Sequence, residues 1–352
     1  MSLTKLAREN VQALTPYLSA RRIGGQGHIW LNANEAADSG EYTLDCTRLN
    51  RYPECQPPQV IAAYAAYAKL STEQVLVSRG GDESIELLIR TFCEPGQDNI
   101  VICSPTYGMY AISAQTNGVG IIDVPLTEQR QPNIDAIIDQ LDNTKLVFLC
   151  SPNNPTGDLV NSADVSRLLE AAAGRALIVV DEAYIEFCPE STQAGLLADY
   201  PNLVIVRTLS KAFGLAGLRC GFTLANPIVI GLLLKVIPPY PVPEPVAQIA
   251  AQALTEAGLA TMQARVEQIN QLKETLMVEL RQHPQVQEVF APNGNYLLVR
   301  FTEGAALFAR MAKAGIILRD FANRPGLTGC IRITIGNQAE MDAVRDVLQQ
   351  EL

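Results

Sequence analysis

Arg207-Thr-Leu-Ser-Lys-Ala-Phe-Gly-Leu-Ala-Gly-Leu-Arg-Cys-Gly-Phe222 organises the whole 352-residue chain. Lys211 follows two hydroxyl residues, Thr208 and Ser210, and precedes a run of small residues that lets backbone approach a bulky group; Arg219 comes eight positions later. A lysine taken alone is a solvated surface side chain. Working outward, an apolar run ends in Asp181-Glu-Ala-Tyr184, with Asp181 thirty residues before Lys211. Further upstream, Ser151-Pro-Asn-Asn-Pro-Thr-Gly157 has the composition of a turn. An amine, a carboxylate and an amide thus each follow a strand-like run.

These segments, in this order, resemble the fold-type I pyridoxal-phosphate aminotransferases (class II). The resemblance implies an α/β fold, with a large domain built on a mostly parallel central sheet covered by helices on both faces. A small α+β domain follows it. The chemistry of pyridoxal 5'-phosphate gives each residue a reason. Lys211 supplies the amine for a Schiff base with the cofactor aldehyde. Asp181 pairs with the ring nitrogen and keeps it protonated. Asn154 and Tyr184 offer hydrogen bonds to the phenolate oxygen. Arg219, Thr208 and Ser210 suit the phosphate.

The segments before Asn154 extend this reading. Residues 1–26 are expected to be an arm with one helix, and they carry Tyr17. Ile29-Trp-Leu-Asn-Ala-Asn-Glu35 reads as a short strand leading to polar residues. In Leu49-Asn-Arg-Tyr-Pro-Glu-Cys55, Pro53 holds Tyr52 extended, and the resemblance sends this tyrosine to the cofactor phosphate of a neighbouring subunit. A strand at 74–78 precedes Arg79-Gly-Gly-Asp-Glu-Ser84. Paired glycines before an amphipathic helix free backbone N–H groups for an anion, so Gly80, Gly81 and Asp82 are assigned to the phosphate cradle. Tyr107, after the strand at 99–103, stands where the family stacks an aromatic ring on the pyridine face.

Short apolar runs alternating with helices predict strands buried on both faces of a parallel sheet, with Asn154, Asp181 and Lys211 at strand C-termini. Five prolines in Ile237–Pro245 mark the change of domain, and Tyr240 among them is a candidate substrate contact. The expected division is an arm (1–26), a large cofactor domain (27–240) and a small domain (241–352). Within Cys330-Ile-Arg-Ile-Thr-Ile335, alternation places Arg332 opposite the isoleucines, on a solvated face. The resemblance instead makes it the clamp for the substrate's anionic group.

Composition narrows the alternatives. A formal net charge of −10 with no offsetting basic run argues against a nucleic-acid or anionic-membrane partner. Eight scattered cysteines without a CxxC pair read as buried free thiols, and no apolar N-terminal core marks a signal peptide, so the expected compartment is the cytoplasm. Only two histidines are present, without ligand spacing, so no metal site is expected.

The wording of Leu-Asn-Ala-Asn-Glu, Asn-Arg-Tyr-Pro, Asp-Glu-Ala-Tyr-Ile-Glu-Phe and Leu-Arg-Cys-Gly-Phe is similar to the histidinol-phosphate aminotransferase branch. It departs from that pattern at Gly81 and Gly214, where alanine is expected. The resemblance implies a place in histidine biosynthesis and a homodimer with shared active sites. It also implies ping-pong exchange of an amino group between L-histidinol phosphate and 2-oxoglutarate (giving L-glutamate) through pyridoxamine phosphate. One site then takes phosphate or carboxylate, with Arg332 as the fork and Arg319 and Tyr17 as helpers. Catalytic roles fall to Lys211, Asp181 and Tyr184. An aromatic aminotransferase or a threonine-phosphate decarboxylase is the nearest rival, and a non-catalytic ligand-binding domain of a transcription regulator the rival from another class.

Overall fold

The apolar runs between helices become one seven-stranded sheet. The structure, a computed structural model, describes residues 3–16 and 26–349. The chain makes β1 (Ile29–Trp30), β2 (Val75–Ser78), β3 (Asn99–Ile102), β4 (Gly120–Asp123), β5 (Thr144–Cys150), β6 (Leu177–Asp181), β7 (Leu203–Thr208) and β8 (Gly221–Ala225). The large sheet has the order β2-β8-β7-β6-β5-β3-β4. The pairs β4–β3, β3–β5, β5–β6 and β6–β7 are parallel, while β8 runs antiparallel to both β7 and β2.

Both faces of this sheet are buried, which is why its strands read as unbroken apolar runs. On β5, Val147 and Leu149 enter one core while Leu146, Phe148 and Cys150 enter the other. Strand β8 was not expected. It starts at Gly221, where an added Cβ would meet Gly80 C at 2.4 Å and Gly81 N at 2.6 Å. The glycine permits a backbone approach that ties the Lys211 segment to the Gly80 turn.

The smaller sheet takes β9 (Val286–Val289), β10 (Tyr296–Phe301), β12 (Arg319–Asp320) and β13 (Cys330–Thr334) in the antiparallel order β12-β13-β10-β9. Residues 316–320 form two short strands, β11 (Ile316–Ile317) and β12. Two helices, Glu244–Ala253 and Glu256–Gln282, part at Leu254 and Thr255, with Thr255 capping the second through Gly258 N–H.

β1 pairs in parallel with β11, Ile29 opposite Ile316 and Trp30 opposite Ile317. Residues assigned by sequence to the large domain are therefore hydrogen-bonded to a strand from the far end of the chain. Six of the eight cysteines are buried and all are free. Among the described residues no helix is long and apolar enough to cross a membrane, and no His/Cys/Asp/Glu group could hold a metal.

Candidate active site

Parallel strands present their C-terminal ends on one edge of a sheet, and that edge opens into a cavity of about 710 Å³. Cys150 ends β5 and leads to Asn154; Asp181 ends β6; Thr208 ends β7 and leads to Lys211. All of these line the cavity, as do Gly81, Asp82, Tyr107, Tyr184, Ser210, Arg219, Arg319 and Arg332. Gly80 adjoins it, with Arg219 Nη2 2.8 Å from where its Cβ would stand.

Lys211 Nζ donates to Ala33 O at 3.0 Å and lies 5.8 Å from the Tyr184 ring centroid. Burial, followed by the positive charge of Arg332, lowers its pKa to about 8. The sign matters: a lowered lysine pKa means more neutral amine at a given pH, so a nucleophile is present near neutrality. In the cofactor-free chain, acetylation of Lys211 by acetic anhydride, followed by peptide mass, will rise with pH to a midpoint near 8, not the ordinary 10.5. A midpoint at the ordinary value would show that the amine is not desolvated.

Asp181 is buried. Its Oδ2 accepts from Tyr110 OH at 2.7 Å and its Oδ1 from Ala183 N–H at 3.0 Å. Desolvation raises its pKa to about 6, and those two donors oppose the rise. The carboxylate is placed for a cationic partner, which would favour its charged form. Tyr110, from the helix Met109–Asn117, is stacked on Phe148 at 4.8 Å. It was missed in the sequence, because a tyrosine inside a helix carries no signal beyond packing.

Opposite Asp181, Tyr184 OH accepts from Asn34 Nδ2 at 3.0 Å and from Asn154 Nδ2 at 3.4 Å. Arg332 donates through Nη1 to Asn154 Oδ1 at 2.5 Å and through Nη2 to Asn32 O at 2.8 Å. Its guanidinium carbon lies 5.4 Å from the Tyr296 ring and 5.3 Å from that of Phe321. The face that alternation alone would leave solvated is covered: Arg332 is 5% exposed, because the Asn154 turn and the 32–34 segment lie over that side of β13. Arg319 stands directly opposite it on β12, and Arg324, not singled out in the sequence, lines the same wall.

The far wall is built for an anion. Gly80, at φ +78°, opens the helix Gly80–Phe92 against Arg219. Arg219 Nη2 donates to Asp82 Oδ2 at 3.3 Å, and Tyr107 OH donates to Asp82 Oδ1 at 2.9 Å. The Asp82 carboxylate is thus turned toward the arginine and the aromatic ring, and it orients both. Thr208 Oγ1 lies 2.9 Å from Ser210 Oγ and accepts from Ser210 N–H at 3.1 Å. Gly81 has room for a methyl group, with only Val206 Cγ1 at 3.4 Å. Gly214, at φ +69°, does not: its Cβ would meet Asp38 O at 2.9 Å. The glycine is required there by a left-handed turn and does not loosen the loop.

Tyr52 and Tyr240 are not brought to the cavity of their own chain. They are 79% and 50% exposed and stack on each other at 4.3 Å. Tyr17 lies outside the described residues.

The donor set fits pyridoxal 5'-phosphate on the structure's own terms. A buried carboxylate with a raised pKa suits a cation, a glycine turn beneath a guanidinium suits an anion, and a desolvated lysine lines the same cavity.

Comparison with known proteins agrees. Residues 24–348 match the family described as aminotransferase class I and II. The chain is 63% identical over 349 residues to the histidinol-phosphate aminotransferase of Aeromonas hydrophila, covering 99% of this chain and 98% of that one. It is 56% identical over 351 residues to the Cronobacter sakazakii enzyme of the same name, covering 100% and 98%. Its fold is similar to that of histidinol-phosphate aminotransferase from Sinorhizobium meliloti in complex with pyridoxal-5'-phosphate, with TM-score 0.85, 21% identity and 97% of each chain covered. The chain belongs to the aminotransferase class I and II family, whose cofactor is pyridoxal 5'-phosphate, and within it to the histidinol-phosphate aminotransferases.

Proposed function

We propose that the chain exchanges an amino group between L-histidinol phosphate and 2-oxoglutarate, yielding imidazole acetol phosphate and L-glutamate, in histidine biosynthesis. One observation carries this reading: a desolvated lysine and a buried carboxylate share a cavity with a wall of three arginines, Arg319, Arg324 and Arg332. When bound, pyridoxal 5'-phosphate supplies a conjugated ring that accepts electrons from the substrate carbon. The chain's residues do the rest. Lys211 Nζ takes the proton from the substrate carbon and returns one, as general base and then acid. Asp181 would pair with the ring nitrogen and keep it protonated, and Tyr184 and Asn154 would offer donors to the phenolate oxygen. Gly80, Gly81, Arg219, Thr208 and Ser210 form the phosphate end.

The two substrates pose one physical problem, since histidinol phosphate carries a phosphate and no carboxylate while glutamate carries two carboxylates. A guanidinium fork binds either anion. Arg332 is oriented by Asn154 Oδ1 and Asn32 O, with Arg319 beside it on β12. Replacing Arg332 with Gln will lower kcat/KM for both substrates by about a thousandfold, mainly through KM, because two charge-assisted hydrogen bonds are lost. Steady-state kinetics checks this; equal KM values in mutant and parent would remove Arg332 from the substrate site.

A homodimer and a cytoplasmic location complete the proposal. The exposed stacked pair Tyr52–Tyr240, with Leu44, Leu49, Ile228 and Leu234 also exposed, supports a surface that a second copy covers. The deciding experiment is the visible absorption of loaded protein titrated with L-histidinol phosphate alone. Loss of the band at low substrate, restored by 2-oxoglutarate, is expected. A band that aromatic amino acids move and histidinol phosphate does not would overturn the substrate assignment.

A further inference from the structure

Asn34 precedes the large sheet by forty residues, yet it sits in the middle of the catalytic polar network. It is 1% exposed and adopts φ +54°, a left-handed conformation that asparagine tolerates better than other side-chain-bearing residues. Its hydrogen-bonding groups are all engaged across two sheets. Its N–H donates to Thr334 Oγ1 at 3.0 Å, and its Oδ1 accepts from the same hydroxyl at 3.0 Å. Its carbonyl accepts from Asn295 Nδ2 at 3.0 Å, and its own Nδ2 donates to Tyr184 OH at 3.0 Å. Thr334 lies on β13 two residues from Arg332, and Asn295 lies just before β10.

We propose that Asn34 is a positioning residue that locks the Tyr184 hydroxyl against the strand carrying Arg332, so that the phenol's own proton is aimed at the cofactor's phenolate oxygen. A phenol oxygen that accepts from two amides, Asn34 at 3.0 Å and Asn154 at 3.4 Å, has its O–H confined to the remaining direction. Asn154 alone cannot fix it. Its bond is the longer, and its Oδ1 already serves Arg332. Asn34 is anchored from behind by Thr334, so it supplies the rigid half of the pair. The charged and titratable groups facing Tyr184 include Arg332, Lys211, Asp181, Cys150 and Tyr296, whose ring packs edge-on against it at 5.2 Å, and it is the two amides that bond its hydroxyl.

This inference rests on the cofactor reading above and not on the identity of the substrate. Its test uses the loaded enzyme and reads the pH midpoint of the cofactor's visible absorption band. A phenolate that loses a well-aimed donor becomes more basic and shares its proton to higher pH. Asn34→Gly keeps the left-handed backbone and removes only the side chain. The midpoint is expected to move up by about half a pH unit or more. Turnover is expected to fall about tenfold, with KM changed less than about twofold because Arg332's own partners remain.

Thr334→Val, which releases Asn34 without touching it, will shift the midpoint in the same direction by less. In a Tyr184→Phe background, Asn34→Gly will add no further shift, since the coupling runs through the hydroxyl. A merely structural asparagine would lower the melting temperature and leave the midpoint in place. An unmoved midpoint in Asn34→Gly, or an unmoved midpoint in Thr334→Val should the glycine variant not fold, overturns the proposal. So does a shift that persists in full without the Tyr184 hydroxyl. A wild-type band unaffected by histidinol phosphate overturns the substrate assignment alone.

Discussion

Replacing Lys211 with alanine will reduce turnover by at least about ten-thousandfold while the protein still folds and still takes up its cofactor. In the proposed reaction the loss combines two functions of one amine, as nucleophile toward the aldehyde and as the group that moves the substrate proton, and the second alone is worth up to about ten-thousandfold. Folding should survive, because Lys211 makes one hydrogen bond, to Ala33 O, and fills part of an open cavity, not a packed core. Uptake should survive because the phosphate end, around Arg219 and Gly80, is built from other residues. Borohydride will fix the cofactor covalently to the parent and not to the variant. Lys211→Arg will not rescue turnover, since a guanidinium does not give up its proton near neutrality. A Lys211→Ala enzyme with near-normal rate would end the assignment.

Asp181→Asn is expected to cost about a thousandfold in kcat, through loss of the charge that holds the ring nitrogen protonated. It should have the opposite sign on stability. The pKa of Asp181 rises from 3.8 in the unfolded reference to about 6 in the cofactor-free fold. For an acid raised on folding, the ionised form opposes folding. The associated stability is complete below the unfolded value and lost as pH passes through about 6. At pH 7 the cofactor-free Asp181→Asn variant, with the Tyr110 bond retained, should therefore melt at the same temperature as the parent or higher. Calorimetry beside steady-state rates checks both halves. A variant that is both inactive and strongly destabilised would mean that Asp181 is a structural acid.

Much of this site was legible because its residues follow strands that announce themselves. Val-Phe-Leu-Cys150, Leu-Ile-Val-Val180 and Leu-Val-Ile-Val206 are apolar on both faces, so the polar residues after them must emerge at one edge. What stayed hidden depends on partners from distant sequence. Arg332 was legible through the resemblance alone, since it alternates with isoleucines as an exposed residue would, and only the Asn154 turn and the 32–34 segment lying over β13 make that face interior. Asn34 reads as one more loop asparagine until Thr334, three hundred positions later, is placed against it. Strand β8 was obscured by the glycine that begins it, which signals a turn in sequence and a close backbone crossing in space. Tyr240 was judged by its neighbours in sequence, whereas its neighbour in space is Tyr52.

The pairing of β1 with β11, and of Asn34 with Thr334, has a consequence for synthesis. The large sheet is complete once β8 has been made, so a nascent chain can gather Lys211, Asp181 and Asn154 long before translation ends. The segment at 29–35 must wait, its polar groups hydrated, until β11 and β13 arrive. A polypeptide released before residue 330 therefore carries Lys211 and Asn34 but lacks Arg332 and the Thr334 hydroxyl that anchors Asn34 from behind.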